Sequence, residues 1–346
     1  MGKAFGKMKV RRLTALILTV TAISLIGCSG GEEEGETVPA DAYPREAVEL
    51  IAPAGPGSGY DLTIRAIAQC LSGSGQVEVP LPVTNKPGQG GGTALEYLAG
   101  ERGADDVLSI FSPPICLVHL NGTTDCSYEE DTTPIARLLM DSGCFAVRGD
   151  SPYRTLTDVM GALKEDPGAL KIGGTSAAWS MDHIQFLIMA EAAGVSGLDQ
   201  IEYEGYENGG AVASLMGGRI DVLSAGVSDV MGLMESGDLR VLAVTAGERL
   251  DIGEMAEVPT CREEGIDAEF SNWRGIFGPA DMPEYALEYW ENTLREMTET
   301  KEWQETCSRY GWEAAFQGHE EFEQFLDETN GEYRELLDEI GVLAED

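Results

Sequence analysis

Four times in this chain a short strand-like run meets a glycine-rich turn that leads into a helical pattern, and that recurrence limits the folds open to it. The first instance is Ile51 to Arg65, IAPAGPGSGYDLTIR. The apolar run Val48 to Ile51 reaches a Pro/Gly turn at Pro53 to Gly59. Asp61 then opens a helix with Leu62, Ile64, Ile67, Ala68 and Leu71 on one face. The second turn is Asn85 to Gly92, before a helix beginning near Thr93. The third, Gly173 to Ser176, sits between Lys171-Ile172 and the helical run Met181 to Ala193. The fourth, Tyr206 to Gly210, precedes Ala211 to Met216. Strands alternating with helices predict an α/β protein with largely parallel sheets. A strand, a glycine loop and a helix N-terminus together offer backbone N–H groups to an anion. Such loops gather outside the carboxyl ends of the strands, where open α/β sheets bind ligands.

Further strands are expected at Val77 to Thr84, Val107 to Phe111, near Phe145, and at Ala169 to Ile172, Asp221 to Ser224 and Val241 to Thr245. Thr155 to Leu163 and Asp229 to Glu235 read as helices. The C-terminal quarter reads as helical throughout, over Pro283 to Thr298, Glu302 to Tyr310 and Glu320 to Ile340.

The N-terminus reads as an export signal over residues 1–27. Lys3, Lys7, Lys9, Arg11 and Arg12 precede an apolar stretch, Leu13 to Gly27, that is short for a membrane span. Leu25-Ile26-Gly27-Cys28 resembles the lipobox of bacterial lipoproteins, with Cys28 as the lipidated residue. Residues 28–45 are rich in Gly and Glu and read as a disordered tether. The protein is thus expected outside the cytoplasm, held to the bacterial membrane only by its lipid.

Sixty acidic residues against 23 basic ones give a formal net charge of -37, which argues against nucleic acid as a partner. Six cysteines follow Cys28. Outside the cytoplasm they are free to form disulfides, and Cys116 with Cys126, which bracket a loop, is the pair we expect.

Little in the chain suggests turnover. Ser176, Asp182 and His183 lack a G-x-S-x-G elbow, and Asp182 and His183 are neighbours on different faces of one helix. Cys116 and His119 lie in an apolar segment expected to pack. No P-loop, dinucleotide fingerprint or zinc spacing is present, so no cofactor or metal is expected.

Read in order, these motifs resemble the solute receptors of tripartite tricarboxylate transporters, the Bug-type receptors, over about Val48 to Val342. The resemblance rests on the Pro53 to Asp61 loop with Arg65, on Asn85 to Gly91, on Asp150 to Tyr153 and on Gly174 through His183. Gly217-Gly218-Arg219-Ile220-Asp221, Val258-Pro259-Thr260 with Glu264-Gly265, Trp273-Arg274-Gly275 and Gly278-Pro279 complete it. It implies a two-domain α/β fold like type II periplasmic binding proteins, with the ligand cleft between domains. Residues 46–147 plus 267–346 would form domain 1 and 148–266 domain 2, with crossings near Phe145 to Pro152 and Ile266 to Trp273. It implies a receptor, not an enzyme, that holds a small carboxylate (a di- or tricarboxylate or related organic acid) and delivers it to membrane permease subunits.

The residues carried over are Gly57, Ser58, Gly59 and Asp61 from the first loop, and Thr175, Ser176 and His183 from the third. Trp179 is expected either to wall the pocket or to pack between the domains, and the fourth turn adds Asn208 and Gly209. Asp61 is expected to cap its helix and orient loop amides rather than face an anion. Lys86 and Arg274 are expected in surface salt bridges, with positive charge at the cleft as their other reading, and Trp273 in packing at the crossover. A sensor protein as partner, or a secreted hydrolase, are the alternatives.

Overall fold

The computed structural model describes residues 43–206, 210–234 and 236–344. The expected signal segment, Cys28 and nearly all of the tether lie outside the described residues, as do Asn208 and Gly209.

Strands β1 (Glu49–Ala52), β2 (Val83–Asn85) and β3 (Val107–Phe111) are parallel, with β1 in the middle. Helices α1 (Gly59–Gly73) and α2 (Gly92–Gly100) make the crossovers between them. β2 is shorter than the expected Val77 to Thr84 because Pro80 and Pro82 have no N–H to donate. Their carbonyls still accept from Val48 and Leu50. In α1 the apolar part of the buried face begins at Ile64, and Leu62, expected on it, is 40% exposed. The apolar segment around Cys116 forms α3 (Pro114–Leu120), and α4 (Tyr128–Asp131) is a single turn.

The sequence shows a mixed region at Ala136 to Val147, where the structure has one long strand, β4 (Thr132–Arg148). Its first part pairs antiparallel with β9 (Ser271–Pro279) and β10 (Glu313–Gln317), and β9 also pairs with β3. Its last part, Gly143 to Arg148, pairs antiparallel with β7 (Val222–Gly226) and β8 (Leu239–Val244). On that side β5 (Lys171–Gly174) lies parallel between β7 and β6 (Glu202–Gly205). The result is two lobes, each on its own sheet, sharing β4. The sheets are therefore mixed rather than largely parallel, because β4 and β9 run against the crossover strands in the middle.

Pairing passes from one sheet to the other between Ser142 and Gly143. The backbone stays extended across that point, so no turn residue marks it. The return runs through Phe270, whose N–H binds Thr245 O, and Ser271, which pairs with Ser142.

Helices α5 (Leu156–Glu165), α6 (Met181–Ala192), α7 (Ala211–Met216) and α8 (Val227–Met234) belong to the second lobe. The first lobe is completed by α9 (Glu284–Thr298), α10 (Lys301–Tyr310) and α11 (His319–Glu339). Trp290 and Trp303 bury against Leu50, Ile64 and Ile67 on one face of the first sheet. Phe111, Phe277 and Phe322 pack on its other face, in a core that continues through Phe145 and Phe186 of the second lobe. β10 interrupts the helical C-terminal quarter that the sequence suggests. Gly311, at φ 75, ends α10 and turns the chain back onto β4.

All six described cysteines are free thiols, which corrects the expected Cys116–Cys126 disulfide. Cys116 packs as a small apolar side chain in the core, and burial pushes its thiol pKa well up.

Candidate functional site

The glycine turns at the carboxyl ends of β1, β2 and β5 open on one cavity of about 580 Å³ between the two lobes. The loop after β3 and the N-terminus of α8 close it. Alternation along β4 and β9 supplies its floor. Asp141, Asn272 and Arg274 line it, whereas Met140, Ser142 and Trp273 line a second cavity of about 510 Å³ on the other face of these strands.

The first loop is built around Asp61, which is buried. One carboxylate oxygen accepts Gly57 N–H at 2.9 Å; the other accepts Asn85 Nδ2 at 2.9 Å and Arg65 Nε at 2.8 Å. Asn85 Nδ2 also reaches Ala54 O at 2.8 Å, so the second glycine turn is tied to the first. Burial alone pushes the Asp61 pKa up, but the bonds from Gly57, Asn85 and Arg65 outweigh it and hold it below the ordinary value. Ser58 caps α1 by accepting Asp61 N–H at 3.3 Å. The first-turn N–H groups of Gly59 and Tyr60 have no carbonyl one turn earlier to bind, so they remain for an anion.

Gly57 does not line the cavity, and a Cβ there meets nothing within 4 Å. Close approach of a ligand is thus not the reason for this glycine. Its φ of +83° and its N–H to Asp61 are. Gly57→Ala is expected to cost about 1–2 kcal/mol of stability through left-handed strain and to weaken binding only modestly, in denaturant unfolding and titration calorimetry. Gly59 is the sterically constrained position. Its carbonyl accepts Arg274 Nη1 at 3.1 Å, and a Cβ would sit 2.9 Å from Arg274 Nη2.

The third loop is organised by a second buried carboxylate, Asp182. One of its oxygens accepts Thr175 N–H at 2.7 Å, Thr175 Oγ1 at 2.9 Å and Ser176 N–H at 2.9 Å. Ser176 Oγ accepts Asp182 N–H at 2.9 Å. Gly174 precedes this loop because a Cβ there would lie 2.5 Å from Asp182 Cβ and 2.8 Å from Ser224 O. Thr175 and Ser176 reach the cavity wall. Their backbone N–H groups and the Thr175 hydroxyl all point inward to Asp182, leaving the Ser176 hydroxyl as the outward donor of this loop.

Trp179 and His183, both carried over as site residues, do not line this cavity and pack against each other beside the loop. The His183 ring stacks on Tyr203 at 4.3 Å and meets Trp179 at a 41° tilt, 4.6 Å away. Its Nδ1 accepts Trp179 N–H at 3.1 Å, and burial pushes its pKa down to about 3. Among the described residues no hydrogen bond joins Ser176 Oγ to the His183 ring, as a base and its nucleophile would need.

Arg274 is the residue sequence reasoning misplaced: it is buried on the cavity floor, not on the surface. Besides Gly59 O it donates to Thr63 Oγ1 and, at 3.2 Å, to Asp141 Oδ2. Asp141 and Asp229 were missed altogether, although the alternation of β4 around Met140-Asp141-Ser142 carries the signal for the first. Burial pushes Asp141 up to about 6, against the pull of Arg274. It raises Asp229 as well, against Gly226 N–H and Arg274. Lys86 lies over the Tyr97 ring at 3.5 Å, a cation–π contact where a surface salt bridge was expected.

Burial also pushes Asp182 up to about 7, with the charge of Asp229 adding to it. Between about pH 4 and their raised pKa values, Asp141 and Asp182 hold protons in the folded state that the unfolded chain has already released. Stability therefore falls as pH rises from about 4 to 7. Neutral buried His183 works against this, because the unfolded chain gains a proton there below about pH 6.5, so thermal melts should show the protein only about 1–2 kcal/mol, or roughly 3 °C, more stable at pH 5.5 than at pH 8. Asp61 acts in the opposite sense, and its contribution is lost only as pH falls through its depressed pKa.

Residues 64–342 match the TctC family, the tripartite tricarboxylate transporter family receptor. The chain belongs to this family. BugT of Bordetella pertussis is 30% identical over 262 residues, covering 70% of this chain and 73% of that protein. R. palustris Rpa4515 with adipate shares the fold at a TM-score of 0.76 and 20% identity, over 87% of this chain and 99% of that one. MatC from Rhodopseudomonas palustris, with bound malate, does so at 0.72 and 18%, over 85% and 100%. The TctC family is one of periplasmic solute-binding receptors, and its two-lobed α/β architecture is the one seen here. Among the described residues no helix is long and apolar enough to cross a membrane. Of the residues that the TctC resemblance carries over, Ser58, Gly59, Thr175 and Ser176 meet at the cavity; Asp61 shapes it from behind.

Proposed function

We propose that the protein captures a small organic acid between its lobes and presents it to the permease subunits of a tripartite transporter. The observation that carries this reading is the pair of glycine loops facing each other across one cavity, each held by a carboxylate, Asp61 or Asp182. Such preformed loops supply N–H and hydroxyl donors to an anion without ordering a loop on binding. The family match supports the receptor role, and the malate and adipate of the R. palustris neighbours support an organic acid. In this reading the protein carries out no chemistry and needs no cofactor. Residues 46–147 with 267–346 close against 148–266, and Cys28 carries the lipid that keeps the receptor at the membrane.

The test is a thermal-shift panel on the full chain in mild detergent, with malate, succinate, adipate, citrate, glutamate and nicotinate. An acid at a hundred times its dissociation constant adds about 2.7 kcal/mol, a shift of several degrees. A flat panel, with native mass spectrometry showing no bound small molecule, would contradict the proposal.

A further inference from the structure

The cavity is bipolar. Its first-loop side offers N–H and hydroxyl donors: the start of α1 at Gly59 and Tyr60, with the hydroxyl of Ser176 across the cleft. Its floor offers acceptors. Asp141 is 1% exposed and its Oδ1 has no hydrogen-bond partner. Asn272 is 4% exposed and its Oδ1 is likewise without a partner. Both line the cavity, and so does Asp229 from the second lobe. A Cβ on Gly226 would lie 3.2 Å from Asp229 Oδ2 and 3.6 Å from Asp141 Oδ2, so the two carboxylates converge. The cation among the residues lining this cavity is Arg274, and its two Nη atoms already serve Gly59 O, Thr63 Oγ1 and Asp141 Oδ2. The floor thus holds one more carboxylate than cation.

A second ligand carboxylate placed there would be buried against like charge and would leave the acceptors unpaired. A group with several N–H donors and a positive charge resolves both problems at once. We infer that the ligand is a carboxylate that also bears an ammonium group, an amino-acid-like zwitterion. Its carboxylate binds at the start of α1, and its ammonium is received by Asp141, Asp229 and Asn272. This deepens the proposed function and rests on it.

The experiment is calorimetry on the full chain at pH 7 with matched pairs: L-glutamate and glutarate, 4-aminobutyrate and butyrate, L-alanine and propionate. In at least one pair the amino member should bind tenfold or more tighter than its partner. Asp229→Asn, which keeps the Asp141–Arg274 pair, should shrink that ratio at least fivefold while leaving the des-amino acid's affinity equal or better. Equal or tighter binding of the des-amino members overturns the inference while the receptor reading stands. So does a ratio that Asp229→Asn leaves intact. Binding by none of these acids, nor by any acid of the thermal-shift panel, overturns the receptor reading itself.

Discussion

Arg274→Met should destabilise the protein by about 3–5 kcal/mol and abolish ligand binding. Breaking a buried ion pair from one side leaves the other charge uncompensated, and Asp141 is as buried as Arg274. The loss is a large share of the 5–15 kcal/mol that holds an ordinary domain together. Methionine keeps much of the side-chain volume over Trp312, so packing loss contributes less than charge. It also removes the donors that fix Gly59 O and Thr63 Oγ1, which releases the first turn of α1. Arg274→Met combined with Asp141→Asn should recover about half of the stability and none of the binding, because the orphaned charge is gone but the loop is still unheld. Urea unfolding and calorimetry on the three variants check this. A single-variant loss below about 1 kcal/mol would show that the pair is not buried as described.

Asp182→Ala should have the next largest effect. Three donors, Thr175 N–H, Thr175 Oγ1 and Ser176 N–H, lose their shared acceptor. Bonds to a charged acceptor are worth about 1.5–3 kcal/mol each, but removing a buried carboxylate also relieves desolvation. A net loss of about 2–3 kcal/mol is expected, together with at least tenfold weaker binding, since the loop then reorders at each binding event. Asp182→Asn, with one acceptor oxygen and an amide that donates, should fall between. His183→Phe serves as the contrast. His183 stacks behind the loop and lies off the cavity, so this change should lower stability while moving affinity little. If Asp182→Ala binds as the parent does, Thr175 and Ser176 do not belong to the site.

The glycine turns were legible because their chemistry is local. Glycine is needed where φ is positive or where another group presses close, and Asp at a helix start is a capping residue wherever it occurs. Arg274, Asp141 and Asp229 were not legible as a site, because their meeting depends on which face of β4 and β9 each side chain takes and on how the lobes approach. A surface salt bridge and a buried one look the same in sequence. His183 and Trp179 were not legible for a related reason. Their spacing put them near the loop, but only the third dimension decides between its front and its back. β4 was misjudged because its apolar pattern continues unbroken across the change of sheet. The cysteines misled by number: an even count outside the cytoplasm permits disulfides without requiring them.

The most direct test of the account is a crystal structure of the protein with the tightest-binding acid of the panel. The account predicts the ligand in the cavity between the lobes, its carboxylate within hydrogen-bond distance of the N–H groups of Gly59 or Tyr60 and facing Thr175 and Ser176. A ligand bound instead in the cavity beside Trp273 and Phe325, on the far side of β4 and β9, would contradict it.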